Sequence, residues 1–295
     1  MRALLLGANG QLGMELRDSF WPLCELKTCT REDVDFENLQ ELRLFIEEYE
    51  PELILNAAAY TDVDKAESES ERAFRINADA VFELAKQAKR HNALLIHFST
   101  DFVFDGQKKE NYIEEDRPNP LNIYGRSKLQ GEKLITQSGC KHLIFRTSWI
   151  FSRHGTNFIK TILELAREKE ILHVVADQRG KPTSAKFIAH IAAKGMLAAQ
   201  TGCLHSGIYH LASNNEASWC DVAQYVVDVA HKIKMPIKLK KENVLPIALS
   251  QYKHLAKRPV NSALNSSLLA KKLDISMVDW KIDAYDVINH FNEIG

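Results

Sequence analysis

Tyr124 and Lys128 lie four residues apart, a spacing that places two side chains on the same face of a helix. A free tyrosine, with a pKa of about 10, is a poor proton donor near neutral pH. A lysine one turn away, together with the positive charge of an oxidised nicotinamide, would stabilise the phenolate and lower that pKa. The pair therefore predicts acid–base chemistry in which Tyr124 gives the proton and Lys128 tunes it. An ordinary surface tyrosine and lysine is the alternative for so short a motif.

Hydroxyl groups follow an apolar run that precedes this pair. Ser99, Thr100 and Asp101 come directly after Leu94–Phe98, which is predicted to be a buried strand. Doubly wound sheets bind ligands at the carboxyl ends of their strands. Thr100 is therefore a candidate to hydrogen-bond a substrate carbonyl oxygen. The predicted reaction is hydride transfer from a nicotinamide to the carbonyl carbon while Tyr124 supplies the proton.

A glycine turn stands at the start of the chain. Residues 4–13 read LLLGANGQLG, a hydrophobic strand that runs into Gly7, Gly10 and Gly13 and a helix beginning near Gly10. Glycines allow tight backbone angles and let the chain approach a pyrophosphate, which then lies at the helix N-terminus. The spacing is G-x-x-G-x-x-G rather than G-x-G-x-x-G, so an ordinary loop is the alternative. The position directly after a strand favours a dinucleotide site.

The second predicted strand ends in Thr28-Cys29-Thr30-Arg31, without the acid that would accept hydrogen bonds from the ribose of NADH. Arg31 instead suits a 2′-phosphate through a charge-assisted contact. The sequence thus predicts NADPH as the preferred cofactor, with NADH as an alternative. A solvated surface arginine is the competing interpretation of Arg31, and Asp35 and Phe36 are expected to flank the adenine edge.

Three further segments are candidates for ligand contacts. The small residues of Asn56–Thr61 would let the backbone approach a ribose or nicotinamide, or else pack a helix closely on the sheet. Trp149 follows a predicted strand and would stack on a sugar or nucleotide, or fill the core. Arg258, next to the rigid Pro259, would bind a diphosphate, or be solvated. His97 and the other histidines lack metal-ligand spacing and are interpreted as packing or surface residues.

These residues need a scaffold, and the chain alternates short apolar runs with helical segments through about residue 150. This pattern is typical of an α/β fold, a doubly wound, mostly parallel sheet of Rossmann type. We predict a dinucleotide-binding domain over 1–150 and a smaller substrate lobe over 151–295, some of whose segments pack back on the first domain. The predicted strands are Ala3–Leu6, Leu26–Cys29, Leu53–Ala58, Leu94–Phe98 and Leu143–Phe145, and the predicted helices are Leu39–Glu48, Glu71–Arg90, Phe158–Glu168, Ala185–Ala199 and Ser218–Ile233.

Composition limits the class of partner. The 295 residues carry 38 Lys plus Arg against 39 Asp plus Glu, so no global field favours nucleic acid or an anionic membrane, and a small molecule is expected. No apolar run approaches the roughly 20 residues that cross a bilayer, which predicts a cytoplasmic protein. The five cysteines are odd in number and form no C-x-x-C pair, which argues against a disulfide framework and a structural zinc site.

With these motifs in view, the chain resembles the dTDP-4-dehydrorhamnose reductase family of the extended short-chain dehydrogenase/reductase superfamily, over nearly its full length. The matching segments are Gly7–Gly13, Asn56–Ala59, Val63–Glu67, His97–Phe104, Tyr124–Lys128, Phe145–Trp149, Asp177–Thr183 and Arg258–Ser262. The resemblance implies reduction of the C4 ketone of dTDP-4-dehydro-L-rhamnose, the last step toward dTDP-L-rhamnose, with a nucleotide sugar as substrate.

The resemblance also implies residue roles. Thr100, Asp101 and Trp149 would contact the deoxysugar, and Tyr124 and Lys128 would serve both the reaction and the cofactor. The other positions that match the family's cofactor site are Gly10, Gln11, Leu12, Thr30, Asp35, Phe36, Ala59, Tyr60, Thr61 and Phe98.

Two positions depart from the family pattern. Thr30 stands where the family has its ribose acid, which weakens a claim about NADH. Some members dimerise around magnesium through two acids; Glu15 fits the first, but Lys186 stands at the second, and a lysine cannot ligate a hard cation. We therefore expect no tightly bound metal, while a homodimer stays open. The rival functions are reduction or epimerisation of another nucleotide-linked 4-keto sugar, and a non-catalytic nucleotide-binding regulatory subunit.

Overall fold

The computed structural model describes residues 1–294, and its secondary structure is as follows. The strands are β1 Arg2–Leu6, β2 Glu25–Cys29, β3 Leu53–Asn56, β4 Leu94–Thr100, β5 Lys141–Thr147, β6 Ile150–Phe151, β7 Leu172–Val175, β8 Arg179–Gly180, β9 Thr183–Ser184, β10 Gly207–His210, β11 Ala217–Ser218 and β12 Val244–Ile247. The helices are α1 Gln11–Phe20, α2 Leu39–Tyr49, α3 Val63–Ala66, α4 Ser70–Phe74, α5 Ala80–Arg90, α6 Ile123–Ser138, α7 Phe158–Glu168, α8 Ala185–Gln200, α9 Trp219–Lys232, α10 Ser267–Leu273 and α11 Trp280–Ile294.

Six strands form one sheet in the order β10-β5-β4-β3-β1-β2, and every neighbouring pair is parallel. The predicted doubly wound parallel sheet is confirmed. Strand order reverses between β1 and β3, and ligands bind at the carboxyl edge beside such a switch point.

The two faces of the sheet are both covered because successive side chains of a strand point to opposite sides. Ala3 and Leu5 of β1 pack with α1 and α8, whereas Leu4 and Leu6 pack with α2 and α5. The apolar run of β1 is therefore buried on both sides, as expected for a central parallel strand. A separate core joins α7, α9 and α11 beneath β7 and β12.

Segments after residue 150 return to the main sheet. Helix α8 packs against α1, and β10 pairs with β5 at the sheet edge. The division into 1–150 and 151–295 therefore separates most, but not all, of the sheet from the second core, and it stays a proposal.

Most predicted elements differ from the structure only by a few residues at their ends, and two differences have a cause in side-chain hydrogen bonds. The single helix predicted over Glu71–Arg90 is interrupted by a π-helical segment at Arg75–Asp79. There Asn77 Oδ1 accepts from the Tyr60 N–H at 2.9 Å. Asn77 Nδ2 donates to the Tyr60 carbonyl oxygen and to Ser127 Oγ, each at 3.0 Å. Strand β3 ends at Asn56 rather than Ala58, because the Asn56 side chain accepts the Ala58 N–H and turns the chain out of the sheet.

Candidate active site

A cavity of about 730 Å³ opens at the carboxyl edge of the sheet, beside the switch point. It brings together most of the predicted site residues from segments far apart in the chain. The predicted residues that line it are Gly7, Gly10, Gln11, Leu12, Thr30, Arg31, Asp35, Phe36, Ala59, Thr61, Phe98, Thr100, Asp101, Tyr124, Lys128, Trp149 and Arg258.

Two predicted cofactor residues are not among the lining residues. Tyr60 is buried beside the cavity, with its hydroxyl donated to Glu69 Oε2 at 3.0 Å. Gly13 lies one turn into α1, where a Cβ would come within 2.0 Å of the Gly7 carbonyl oxygen. The absence of a side chain at Gly13 thus allows the close packing of the turn. Neither Gly13 nor Tyr60 lines the cavity.

The glycine turn presents open backbone to the cavity. Gly7 has a φ of +80°, and a Cβ there would lie 2.7 Å from the Ala58 nitrogen. Gly10 precedes α1 and provides no side-chain cap to the first turn of the helix. The N–H groups of that turn are therefore available to an anion.

The end of β2 carries Thr30 and Arg31. The Thr30 backbone N–H and hydroxyl both donate to Asp33 Oδ2, at 2.7 and 3.0 Å. These hydrogen bonds lower the pKa of Asp33 and keep its carboxylate on Thr30. Arg31 is exposed and lines the cavity, where its charge faces any ligand placed beyond the strand.

Tyr124 opens onto the cavity from the first turn of α6. The Asn122 side chain caps this helix, accepting from the Gly125 N–H at 2.7 Å. Burial raises the pKa of Tyr124 to about 12; a hydrogen bond with Thr100 opposes that rise, and the charge of Asp101 adds to it. The phenol therefore holds its proton firmly at neutral pH.

The amine of Lys128 lies against β4, where it contacts Phe98 and His97. Its ammonium nitrogen donates to the Phe98 carbonyl oxygen at 2.7 Å and lies 3.3 Å from His97 Nε2. In the protein without cofactor the pKa of Tyr124 is raised rather than lowered, and the lowering expected beside an oxidised nicotinamide stays a prediction. Burial instead lowers the pKa of Lys128 itself to about 8, against the opposing charge of Glu132.

Strand β4 extends two residues beyond the predicted Phe98, so Thr100 is its last residue and Asp101 follows it directly at the carboxyl end. The Thr100 hydroxyl donates to Asp101 Oδ1 at 3.1 Å and accepts from the Phe102 N–H. Burial raises the pKa of Asp101 to about 7, although hydrogen bonds with Ser262 and Thr100 work against the rise. Asp101 therefore changes charge near neutral pH, directly beside the proton donor.

Trp149 lies at the cavity in a left-handed conformation, with a φ of +48°. Its ring stacks on Trp219 with centroids 3.6 Å apart and an angle of 5° between the planes. Trp219 also lines the cavity and was missed from the sequence. No spacing rule could have found it, because the two tryptophans come from elements 70 positions apart; Ser218, which caps α9 directly before Trp219, marks only the helix start.

Arg258 reaches the cavity as predicted, and it is not a freely solvated arginine. Its Nη2 donates to Asp64 Oδ2 at 2.7 Å. Asp64 belongs to the matching segment Val63–Glu67, but residue type alone gave it no role.

Glu15 and Lys186, the two residues compared with the family's magnesium acids, both contact other side chains. Glu15 Oε1 accepts from Ser152 Oγ at 2.9 Å, and Lys186 Nζ lies 3.5 Å from Asp286. Over residues 1–294, no three His, Cys, Asp or Glu side chains converge to hold a metal ion. Across the same range, no helix is both long and apolar enough to span a bilayer.

Comparison with known proteins places this site in context. The family model described as RmlD substrate binding domain matches residues 1–293. The dTDP-4-dehydrorhamnose reductase of Burkholderia thailandensis is 40% identical over 285 residues, covering 95% of this chain and 96% of its own. A crystal structure of such a reductase from Clostridium acetobutylicum has a TM-score of 0.90 at 31% identity and covers 99% of both chains. One from Bacillus anthracis, in complex with NADP, has a TM-score of 0.88 at 32% identity, covering 97% of this chain and 98% of its own.

Proposed function

The chain belongs to the family of dTDP-4-dehydrorhamnose reductases, and from this membership we propose that Thr100, Tyr124 and Lys128 carry its chemistry. The chain is an NAD(P)H-dependent oxidoreductase that reduces the C4 ketone of dTDP-4-dehydro-L-rhamnose to dTDP-L-rhamnose. The observation that carries the residue assignment is the meeting of these three side chains with the glycine turn in one cavity.

The cavity fits a nicotinamide dinucleotide on its own geometry. The space beside Gly7 and the uncapped first turn of α1 would take the pyrophosphate, and Arg31 would meet a 2′-phosphate. Asp35 and Phe36 lie on the same side, where the adenine end would extend. When bound, the cofactor supplies the hydride.

The proton comes from the protein. Reduction adds a hydride to C4 and a proton to the C4 oxygen, and Tyr124 Oη would give that proton. The high pKa of Tyr124 in the protein alone keeps the donor protonated before the reaction. On substrate binding the Thr100 hydroxyl, next to Tyr124, would turn its hydrogen from Asp101 Oδ1 to the carbonyl oxygen and orient that oxygen toward the phenol.

Lys128 is proposed to restore the donor. After proton transfer Tyr124 is a phenolate, which a cationic amine on the same helix face would stabilise. A lysine with a pKa of about 8 is mostly protonated at neutral pH and can still exchange its proton there. The buried setting of Lys128 supports this role, because a charge interaction gains strength where water is excluded.

The nucleotide sugar is proposed to lie across Thr100, Asp101 and Trp149, with its diphosphate toward Arg258. A second reading, a non-catalytic nucleotide-binding subunit, is less favoured because the set of Thr100, Tyr124 and Lys128 is complete. The homodimer remains a prediction.

The test is to incubate the protein with NADPH and dTDP-4-dehydro-L-rhamnose, follow loss of NADPH absorbance, and identify the sugar by NMR. We expect dTDP-L-rhamnose, and Tyr124→Phe should lower kcat by roughly 10²-fold or more while still binding NADPH. A different product would move the assignment to another 4-keto sugar. Near-wild-type kcat in Tyr124→Phe would remove Tyr124 as the donor, and equal or better kcat/KM with NADH would contradict the preference for NADPH.

A further inference from the structure

The segment 255–258 ends in Arg258, which lines the cavity, and one carboxylate holds this segment in place. Asp64 Oδ1 accepts from the backbone N–H of Leu255 at 3.1 Å and of Ala256 at 2.9 Å. Asp64 Oδ2 accepts from Arg258 Nη2 at 2.7 Å. Burial acts to raise the pKa of Asp64, but these hydrogen bonds and the arginine charge outweigh it and lower the pKa. The carboxylate is therefore charged and fully engaged with this segment, which we call the strap.

A second side chain joins the strap to the catalytic helix. Asn122 is buried and uses both ends of its amide. Its Oδ1 accepts from the Gly125 N–H at 2.7 Å. Asn122 thereby caps α6, and it lies two residues before Tyr124. Its Nδ2 donates to the Lys257 carbonyl oxygen at 2.8 Å, one residue before Arg258. The backbone beside Arg258 and the start of the helix that carries Tyr124 are thus fixed to one side chain.

Arg258 retains donors for a ligand after binding Asp64. A guanidinium has five N–H groups in a rigid fork, and Asp64 receives one of them. The side chain is 24% exposed and lines the cavity, and its Nε is buried with no hydrogen-bond partner. An oriented guanidinium with free N–H groups at the cavity suits a diphosphate.

The strap cannot shift easily on its far side. Gly106 has a φ of +77°, and a Cβ there would lie 2.6 Å from the Val260 nitrogen. The Asn261 amide donates to the Lys108 carbonyl oxygen at 2.9 Å. The chain on both sides of Arg258 is therefore anchored, and the position of the guanidinium is set by these anchors.

We propose that Asp64 and Asn122 are positioning residues that fix the span between Arg258 and Tyr124. A nucleotide sugar held by its diphosphate at Arg258 then presents its ketone to the proton donor, and substrates with a shorter or longer span fit poorly. This inference rests on the proposed function for the identity of the substrate. Neither residue touches the reacting atoms, so loosening them should weaken binding of the nucleotide sugar more than it slows the chemical step.

Asp64→Asn is the sharpest test because it keeps Oδ1 for the two backbone N–H groups. It replaces Oδ2, the partner of Arg258, with an NH₂ group that repels the guanidinium. We expect KM for the nucleotide sugar to rise roughly tenfold, with kcat within about twofold and KM for NADPH unchanged. Asn122→Asp, which keeps the cap of α6 but loses the donor to Lys257, should act in the same direction. Asp62→Asn is the matched control, since Asp62 caps α3 by accepting from the Lys65 N–H and does not touch the strap.

A double-mutant cycle separates positioning from general structural loss. If Asp64 acts through Arg258, Asp64→Asn should add less than about twofold in the background of Arg258→Gln. Additive effects, or a loss that falls equally on kcat and on both KM values, would overturn the proposal.

Binding of dTDP distinguishes failure of this inference from failure of the proposed function. Calorimetry with dTDP, which carries the diphosphate without the sugar, needs no turnover. A roughly tenfold weaker affinity in both Asp64→Asn and Arg258→Gln supports the strap even if the wild type does not reduce the sugar. Unchanged dTDP affinity in both variants rejects it, whatever the wild type catalyses.

Discussion

At the scale of single residues, a third side chain, Asn56, determines which ring nitrogen of His97 carries the hydrogen in its contact with Lys128. Asn56 Oδ1 is taken by the Ala58 N–H, so its amide nitrogen donates to His97 Nδ1 at 3.0 Å. The pKa of His97 is held well below 6.5 by its burial and by the charge of Lys128, so the ring is neutral. A neutral ring that accepts at Nδ1 carries its hydrogen on Nε2, which faces the Lys128 nitrogen. That hydrogen can bond the neutral amine and not the ammonium.

This arrangement predicts a pH effect with a definite sign. The pKa of Lys128 is about 8, and the chemistry above needs its cationic form, so kcat/KM should fall as pH rises through that region. His97→Leu removes a donor that favours the neutral amine and should raise the pKa of Lys128. The alkaline limb of kcat/KM should then move up by about one pH unit, because one pKa unit corresponds to about 1.4 kcal/mol, which is close to the net free energy of one hydrogen bond.

The matched control for His97→Leu is His142→Leu, because His142 is also a buried strand histidine but its ring contacts the Cys140 carbonyl oxygen rather than Lys128. Its alkaline limb should stay at the wild-type position. An unmoved limb in a folded His97→Leu protein would remove His97 from the control of Lys128.

Sequence reasoning found the residues whose chemistry is carried by their own type and spacing. Tyr124 and Lys128 were visible because four residues make one helical turn. His97, Asp64 and Trp219 were not, because their importance comes from contacts with residues far away in the chain. A histidine in an apolar run reads as a packing residue until the strand places it against Lys128.

At the scale of elements, the apolar runs predicted the strands because a central parallel strand is buried on both faces. The helix predicted over Phe158–Glu168 has the same bounds in the structure. The π-helical segment at Arg75–Asp79 could not be read from the sequence, since Asn77 gives up helical regularity for hydrogen bonds to Tyr60 and Ser127, which precede and follow it by 17 and 50 positions. Helix α6 packs closely on this segment at Gly131, where a Cβ would lie only 2.3 Å from the Asn77 carbonyl oxygen.

The glycine turn makes a prediction at this same scale. In Gly13→Ala the new methyl would lie 2.0 Å from the Gly7 carbonyl oxygen and under 3 Å from the Ala8 backbone. Because all these neighbours are backbone atoms of the turn, the turn itself must move. We expect the free energy of unfolding to fall by about 2 kcal/mol or more, and NADPH affinity to fall with it.

Gly207→Ala is the control for Gly13→Ala, since its Cβ would meet nothing closer than 3.6 Å. Urea denaturation and NADPH titration should both give near-wild-type values for it. Wild-type NADPH affinity in Gly13→Ala would show that the turn tolerates a side chain and that its geometry does not set cofactor binding.

At the scale of the whole molecule, the two parts of the chain meet at the cavity and contribute differently to it. The residues proposed to hold the cofactor all lie before residue 130, around the glycine turn and the end of β2. Trp149, Trp219 and Arg258, proposed for the sugar nucleotide or its support, come from later in the chain and line the same cavity. The sequence predicted two parts from the loss of strand–helix alternation after Trp149 and also predicted that some later segments pack back on the first domain, as α8 does, but it did not identify β10 as a strand of the main sheet. The apolar pattern of a single segment does not indicate which of two cores it joins.

The stacked tryptophans test that division directly. Trp219 supports Trp149 from the second core, and its Nε1 donates to Gln178 Oε1 at 3.1 Å, while the Gln178 amide in turn donates to the Pro259 carbonyl oxygen beside Arg258. Trp219→Leu removes the stack and this hydrogen bond together. We expect KM for the nucleotide sugar to rise roughly tenfold, whereas NADPH affinity, measured by calorimetry, should stay within about twofold because its proposed contacts lie before residue 130. Trp219→Phe keeps an aromatic face for Trp149, so its KM for the nucleotide sugar should lie between those of the wild type and of Trp219→Leu. Equal weakening of NADPH and of the nucleotide sugar would show instead that the two sides of the cavity act as one unit.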